Sequence, residues 1–408
     1  MQPPIDLLKQ KWRDEASALK AASRYRTPFV CSPHSPLVDF ASSDYLGMRT
    51  DPRLAAAGNQ AVVAAGGSGS GASRAVLQFD PTLDELESFF ANWVGFPSAV
   101  YCGSGFIANC VLFDALADTV ASSQKTTVFL DHRAHASLYA ATRLSGIPTV
   151  LFRHGDLKSL REKLQQSNAI SKIIVVESLH SMDGTLDNAA ALAQVCEEHS
   201  ALLIADEAHT CGLLGSGGQG WTHTHPELKK HTLAVMFGCG KAVGVSGGII
   251  TGPGELRERI FQKSKPFLYT TGVSPFVSGA VLQSCHILAS QEGQKKREQL
   301  FANALFFAEA LKHTGVAAQQ KNLSNVLNQA NLEGGEPFYA PIFSIPMPSD
   351  ETAVLTAQKL VAQGFLVRAM RAPTVPRNSP RLRVIVRANH QSDQLMALAQ
   401  TLVEEKFS

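Results

Sequence analysis

Four short, nearly unbroken apolar runs restrict this chain to one fold class. They are residues 127–131 (TVFLD), 172–177 (KIIVVE), 201–206 (ALLIAD) and 234–238 (AVMFG), and helix-period stretches fall among them at 135–145, 156–165 and 187–199. A strand with one wet face alternates apolar and polar residues. A run without alternation is covered on both faces, as parallel strands are when helices lie on either side. The expectation is an α/β protein whose large domain carries a mainly parallel mixed sheet flanked by helices. A long helical segment at 274–312 follows, then strand-like runs at 365–369 and 381–387 and a helix at 391–405, which predict a smaller α+β C-terminal domain. The boundaries expected are an N-terminal arm at 1–45, a large domain at 46–285 and a small domain at 286–408. A chain of 408 residues is long enough for two lobes around a large shared core. The glycine-rich stretch 66–71 reads as a loop, not a linker.

Composition narrows the partners. A net charge of +2 with 18% charged residues gives no electrostatic footprint for nucleic acid or an anionic membrane. No apolar run approaches a membrane span, and residues 1–20 contain no signal-peptide core. The seven cysteines are odd in number, scattered, and never spaced Cys-x-x-Cys, so free thiols in a reducing cytoplasm are expected.

Ligand sites in sheets of this kind lie at the carboxyl ends of the strands, where Asp131, Glu177 and Asp206 each close a run. Lys241 stands in Gly238-Cys239-Gly240-Lys241-Ala242-Val243-Gly244. A lysine that condenses with an aldehyde needs backbone that lets a bulky ring approach and surroundings dry enough to lower its pKa. A lysine in an ordinary turn also fits the pattern. Asp206-Glu207-Ala208-His209 places a carboxylate over the sheet, suited to sit beside a protonated pyridine nitrogen, with His209 near enough to address the same ring. The same four letters occur in helicases, but no Gly-x-x-x-x-Gly-Lys-Ser/Thr loop accompanies them. A metal site would need a second ligand pair, and His223 and His225 fall in what reads as a surface loop, so no metal is expected. Ser104, between Gly103 and Gly105, is an N-cap opening a helix whose first N–H groups form an anion site, with Phe106 beside it. His135 follows a strand end and either stacks on a ring or caps a helix. Ser181 lies in a turn before Asp183-Gly184. Arg381 and Arg383 share one face of a strand, which suits bidentate capture of a carboxylate and equally suits a solvated face. A nucleotide-binding oxidoreductase is disfavoured, because residues 238–244 lack Gly-x-Gly-x-x-Gly spacing.

Taken together and in this order, these motifs resemble the α-oxoamine synthases, fold-type-I enzymes that use pyridoxal 5′-phosphate (PLP) to condense an amino acid with an acyl thioester. The resemblance runs from Asp39–Gly47 (DFASSDYLG) and Gly66–Arg74 through Ser104–Asn109, His135-Ala136-Ser137, Ser181–Gly184, Asp206–His209 and Lys241 to Tyr269-Thr270-Thr271 and Arg383. It implies that Lys241 bonds the cofactor, Asp206 pairs with its ring nitrogen, His135 stacks on the ring, and His209 and Ser181 address its phenolic oxygen. Ser104, Gly105 and Phe106 match the phosphate loop. Thr270 and Thr271 reach the phosphate from a second subunit, which makes the protein a homodimer. Arg383 holds the amino-acid carboxylate, and Arg24 and Ser43 lie near substrate. Lys241–Gly247 (KAVGVSG) and the Pro373–Pro376 segment before Arg381-Leu382-Arg383 are similar to the branch that joins L-alanine to a pimeloyl thioester, carried by CoA or an acyl-carrier protein, in biotin biosynthesis. The alternatives are relatives that join glycine to acetyl-CoA or serine to a long-chain thioester. The sequence departs from the family pattern at four positions: Ser43 for asparagine, Gln78 for glycine, Leu83 for histidine and Gly238 for threonine.

Overall fold

The computed structural model describes residues 4–32, 35–121, 126–316 and 340–407. Outside the central sheet lies β1 (Val38–Asp39). The sheet itself contains β2 (Ser98–Cys102), β3 (Thr126–Asp131), β4 (Thr149–Phe152), β5 (Ser171–Glu177), β6 (Leu202–Asp206), β7 (Thr232–Gly238) and β8 (Gly248–Gly252). Their spatial order is β2-β8-β7-β6-β5-β3-β4. The run from β4 to β7 is parallel throughout, and only β8 runs against its neighbours. The expected mainly parallel mixed sheet is therefore present. Its unalternating strands bury residues on both faces: Ile174, Leu203 and Val235 pack into one apolar layer, and Val175, Ile204 and Ala234 into the other. Register sets Glu177 level with Asp206, so two acids stand side by side at the carboxyl edge.

The helices begin and end where local chemistry requires. Pro81–Val94 starts at Asp80, whose carboxylate accepts from Thr82 N–H at 3.0 Å, has proline in its first turn, and stops at Gly95 with φ 75°. Its inner face buries Leu83, Leu86, Phe90 and Val94, at the three- and four-residue spacing of a helix. The segment expected as one helix at 274–312 is two, Pro275–Ala289 and Gln291–Thr314. The break falls at Ser290, which is extended (ψ 174°) and caps the second helix by accepting from Glu292 N–H at 3.2 Å. A serine inside an apolar pattern reads as tolerated; here it starts a new helix.

The C-terminal lobe holds β9 (Ile342–Pro346), β10 (Phe365–Leu366), β11 (Arg368–Met370) and β12 (Arg381–Ile385). β11, β12 and β9 form an antiparallel sheet, while β10 pairs in parallel with β1. The single strand expected at 365–369 is thus divided at Val367, where the chain changes partners. The lobe's core packs Phe40, Phe307, Phe343, Leu360 and Leu398, so the residues after β1 belong to it. Among the described residues no helix is long and apolar enough to cross a membrane.

Arg387 ties this lobe to the segment that precedes the large sheet. Its guanidinium donates to Asp44 Oδ2 at 2.7 Å, Asp39 Oδ2 at 2.9 Å and the Asp44 carbonyl at 3.0 Å. Arg387 and Asp44 are buried. Removing one partner leaves a charge without compensation, so Arg387→Ala is expected to cost about 3–5 kcal/mol, read as a lower urea midpoint. Truncating the exposed Arg53, which pairs with Glu292, should shift the midpoint far less.

Candidate functional site

Lys241 sits on the connection between β7 and β8. That turn is closed by Gly244 N–H on the Lys241 carbonyl (2.9 Å) and Val245 N–H on the Cys239 carbonyl (3.0 Å). Gly247 has φ +106°, and a Cβ there would lie inside the Tyr101 ring. The Tyr101 hydroxyl meanwhile donates to the Ser246 carbonyl at 2.6 Å, so ring and turn fix each other. The lysine lines a cavity of about 340 Å³ together with Ser104, His135, Asp206 and His209, and among the described residues no other lysine lines it. Burial lowers its pKa; Asp206 and Glu177 oppose that shift, and Arg383 adds to it.

Asp206 closes β6 and is held from two sides. Its Oδ1 accepts from Ala208 N–H at 3.0 Å and its Oδ2 from the Asn109 amide at 3.1 Å. The same Asn109 nitrogen donates to the Ser137 hydroxyl at 2.9 Å, and that hydroxyl meets His135 Nδ1 at 2.7 Å. Ser137 N–H also donates to His135 Nδ1, at 3.2 Å. Nδ1 is therefore an acceptor, which places the imidazole proton on Nε2. Burial keeps His135 below the ordinary histidine range, with Lys241 adding to the effect. His209 is buried, and its Nδ1 lies 2.6 Å from the Tyr45 hydroxyl. Burial holds it well down, reinforced by the Lys241 and Arg383 charges, so it is neutral at pH 7. Burial raises the Tyr45 phenol's pKa, and Ser43, standing where the family pattern has asparagine, opposes that rise slightly.

The Ser104 hydroxyl accepts from Ile107 N–H at 3.1 Å and caps the helix Gly105–Ala121. Gly105 and Phe106, at its first turn, line the cavity and offer N–H groups that the helix does not use. Gly238 stands where the family pattern has threonine. A Cβ there would meet the Ala208 Cβ at 2.9 Å. Gly238→Thr should therefore lose about 1–3 kcal/mol in thermal unfolding, and the added change Ala208→Gly should recover part of it. Gln78 accepts from Arg74 Nε at 2.6 Å and donates to Asp84, and Leu83 is a core residue.

Other predicted residues stand outside this cavity. Ser181 does not line it; its carbonyl accepts from Arg383 Nη1 at 3.2 Å. Arg383 lies on β12, part-buried, with its Nε unpartnered. Thr270 and Thr271 are exposed on this chain and border a separate small pocket. Arg24 is paired with Asp350 at 2.6 Å. His225 is buried rather than in a surface loop, because its ring packs edge-on against Trp221. Asp131, His154 and His180 come from three strand ends and bring possible ligand atoms within 4.8 Å of one another. His154 Nδ1 already bonds Asp131 Oδ2 at 2.9 Å. Although burial works against both charges, this pair holds Asp131 below and His154 above their usual values.

Glu177 is the site residue that motif reading passed over; its position at the end of an apolar run was the available signal. It lines the cavity, and its Oε1 is buried without a partner. Burial pushes its pKa from 4.5 to about 8, with Asp206 adding to the rise. In the cofactor-free chain the folded state keeps a proton that the unfolded chain releases above 4.5. Stability from this group is complete below 4.5 and is lost as pH rises through about 8. Urea titrations at a series of pH values should show Glu177→Gln gaining on the wild type across that window.

Residues 35–402 match the sequence model of aminotransferase class I and II. The chain belongs to that family. Within it, the chain stands with the α-oxoamine synthases. The 8-amino-7-oxononanoate synthase of Thiobacillus denitrificans is 32% identical over 90% of this chain and 89% of its own length. The enzyme of the same name from an Azoarcus species is 33% identical over 98% of both. Among solved structures, SPT with PLP superposes with a TM-score of 0.84 at 23% identity, covering 99% of this chain and 98% of the other. That likeness shows the fold, the same fold-type-I architecture. The residues present fit PLP. A glycine-lined cavity has, among the described residues, a single lysine on its wall, with Asp206 and Glu177 beside it, the first-turn helix residues Gly105 and Phe106, and a buried Glu177 oxygen that has no partner.

Proposed function

We propose that this chain condenses L-alanine with a pimeloyl thioester, releasing CO₂ and the free thiol and giving 8-amino-7-oxononanoate, a step of biotin biosynthesis. The observation that carries this reading is the convergence of Lys241, Asp206, His135 and His209 on one cavity, in a chain that shares about a third of its residues with proteins named for that reaction. PLP bound there supplies an electron-withdrawing ring that acidifies the α-carbon of the amino acid.

The chain's own groups do the rest. Lys241, with its pKa lowered by burial, is free to bond the cofactor aldehyde and, once released from it, to take the α-proton on Nζ. Asp206 holds a cationic ring nitrogen, and its two hydrogen bonds fix the direction of its carboxylate. His135 faces the ring with a fixed tautomer. His209, steadied by Tyr45, offers its other nitrogen to the ring's oxygen. Arg383, with Nε unpartnered, takes the alanine carboxylate. Exposed Thr270 and Thr271 complete the phosphate site of a second copy, so the working unit is a homodimer. The donor is a CoA or carrier-protein ester. Six buried, unpaired cysteines suit a reducing cytoplasm.

The test is turnover of purified holoenzyme with L-alanine and pimeloyl-CoA or pimeloyl carrier protein, with product identified by mass. An aminoketone formed only from glycine or serine, or only from acetyl or long-chain donors, would replace this reading with another member of the family.

A further inference from the structure

A second and larger cleft, about 920 Å³, opens between the chain's first segment and the C-terminal sheet. Its charge is lopsided. Arg26, Arg49, Arg368, Arg371 and Arg383 line it against one acid, Asp39, in a protein whose net charge is only +2. Asp39 is already satisfied by Arg387, the Ser42 hydroxyl and two backbone N–H groups. Some of the arginines have structural work: Arg26 donates to the Thr374 hydroxyl at 2.8 Å and Arg371 to the Ser23 carbonyl. Arg368 lies over the Phe29 ring at 5.3 Å, an aromatic contact that leaves its guanidinium edge open. The Arg49 side chain is exposed and has no hydrogen bond or ion pair among the described residues. Phe29, Leu37 and Met370 add apolar wall between the charges. Clustered like charges repel and persist where a ligand of the opposite sign repays them.

Arg383 stands near both spaces, with its Nη1 on the Ser181 carbonyl at 3.2 Å. It lines the cleft, and its charge depresses proton affinity at Lys241 and His209 in the cavity. A molecule held in the cleft therefore lies beside the arginine assigned to the amino-acid carboxylate, within electrostatic reach of Lys241 and His209.

We propose that this cleft receives the acyl donor and that Arg49 and Arg368 bind its negatively charged end, leaving Arg383 to the amino acid. The inference rests on the acyl-condensing reading above and names the recognition that reading lacks. The negative end is either the distal carboxylate of a dicarboxylic acyl chain or the phosphates of a CoA carrier. The apolar wall takes the methylene chain between charge and thioester, and a neutral acyl chain of equal length lacks the charge–charge contact.

Holoenzyme without amino acid, which cannot turn over, is titrated calorimetrically with three probes: pimeloyl-N-acetylcysteamine, heptanoyl-N-acetylcysteamine and CoA. At least one anionic probe should bind about tenfold or more tightly than the neutral heptanoyl ester, and Arg49→Met and Arg368→Met should each remove most of that advantage while leaving the neutral ester unchanged. Arg368→Lys should keep part of it. An effect confined to the pimeloyl probe assigns the distal carboxylate, and one confined to CoA assigns the phosphates. Arg49 is exposed, so its replacement tests the idea even if Arg368→Met fails to fold. Equal affinity for all three probes, or affinities that neither methionine variant changes, would overturn the proposal. Variant-sensitive binding without product from alanine would leave the cleft assignment standing and remove the alanine–pimeloyl reaction instead.

Discussion

Lys241→Ala should lower kcat/KM by about 10⁴-fold or more, to the background of the assay, because the variant loses both its covalent hold on the cofactor and its base. Borohydride treatment followed by denaturation should leave the wild type carrying the cofactor chromophore and the variant colourless. Among the described residues no other lysine lines the cavity, so none there can substitute. The loss should be chemical, not structural. Ala242 and Val243, the central residues of the turn, are buried in their own right, and the turn is closed by backbone bonds. The melting temperature should move by only a few degrees, since truncating a lysine with a depressed pKa removes a desolvation cost along with its contacts. Lys241→Arg separates charge from chemistry: it keeps a cation near Asp206 yet cannot condense with an aldehyde, and it should be as inactive as the alanine variant. Small primary amines added to Lys241→Ala should restore a measurable fraction of proton transfer. Activity in either variant without added amine would end the assignment.

How much of this was legible in the sequence follows from how local each cause is. The unalternating runs announced buried parallel strands because coverage on both faces acts on each strand separately. Lys241 and Asp206 stood out because each sits where a strand ends, and the polypeptide marks such ends with glycine or a charge. Ser104 was readable as a cap for the same reason. What escaped depends on distant chain segments. Glu177 looked like one strand-end acid among three until register set it beside Asp206. Asn109 joins Asp206 to His135 from the inner face of a helix, where an asparagine in an apolar stretch gives no sign of its partners. The break at Ser290 and the split at Val367 are changes of packing partner, which a window of neighbouring residues does not contain. The Gly238 departure became intelligible only with Ala208 in contact across the strand ends. The arginine-lined cleft is assembled from positions 26, 49, 368, 371 and 383, and apart from Arg383 none of them stands out in its own segment.

Asp206→Asn should lower kcat on the order of 10³-fold while folding normally, and the cause should be visible in titration as well as in rate. The substitution keeps shape and removes a charge. It also disturbs hydrogen bonding: Asp206 now accepts from Ala208 N–H and from the Asn109 amide, and a new amide can accept from only one of them through its oxygen. Whichever donor is lost is buried, and the chain from Asn109 through Ser137 to His135 loses its anchor. Electrostatics then shift together. Asp206 raises the proton affinity of Lys241, His135 and Glu177, so its neutralisation should move all three downward. Glu177 would ionise at lower pH, so the stability that the cofactor-free wild type loses on the approach to pH 8 should stop falling at a lower pH in the variant and fall by less in total. A second substitution supplies the discriminating control. Asn109→Asp placed on Asp206→Asn returns one negative charge to the pair but moves it away from the ring nitrogen. Recovery of the titration without recovery of kcat would confine the catalytic effect to a carboxylate at position 206, whereas full recovery of both would show that any anion in the pair suffices. A single variant with wild-type kcat would remove Asp206 from the chemistry altogether.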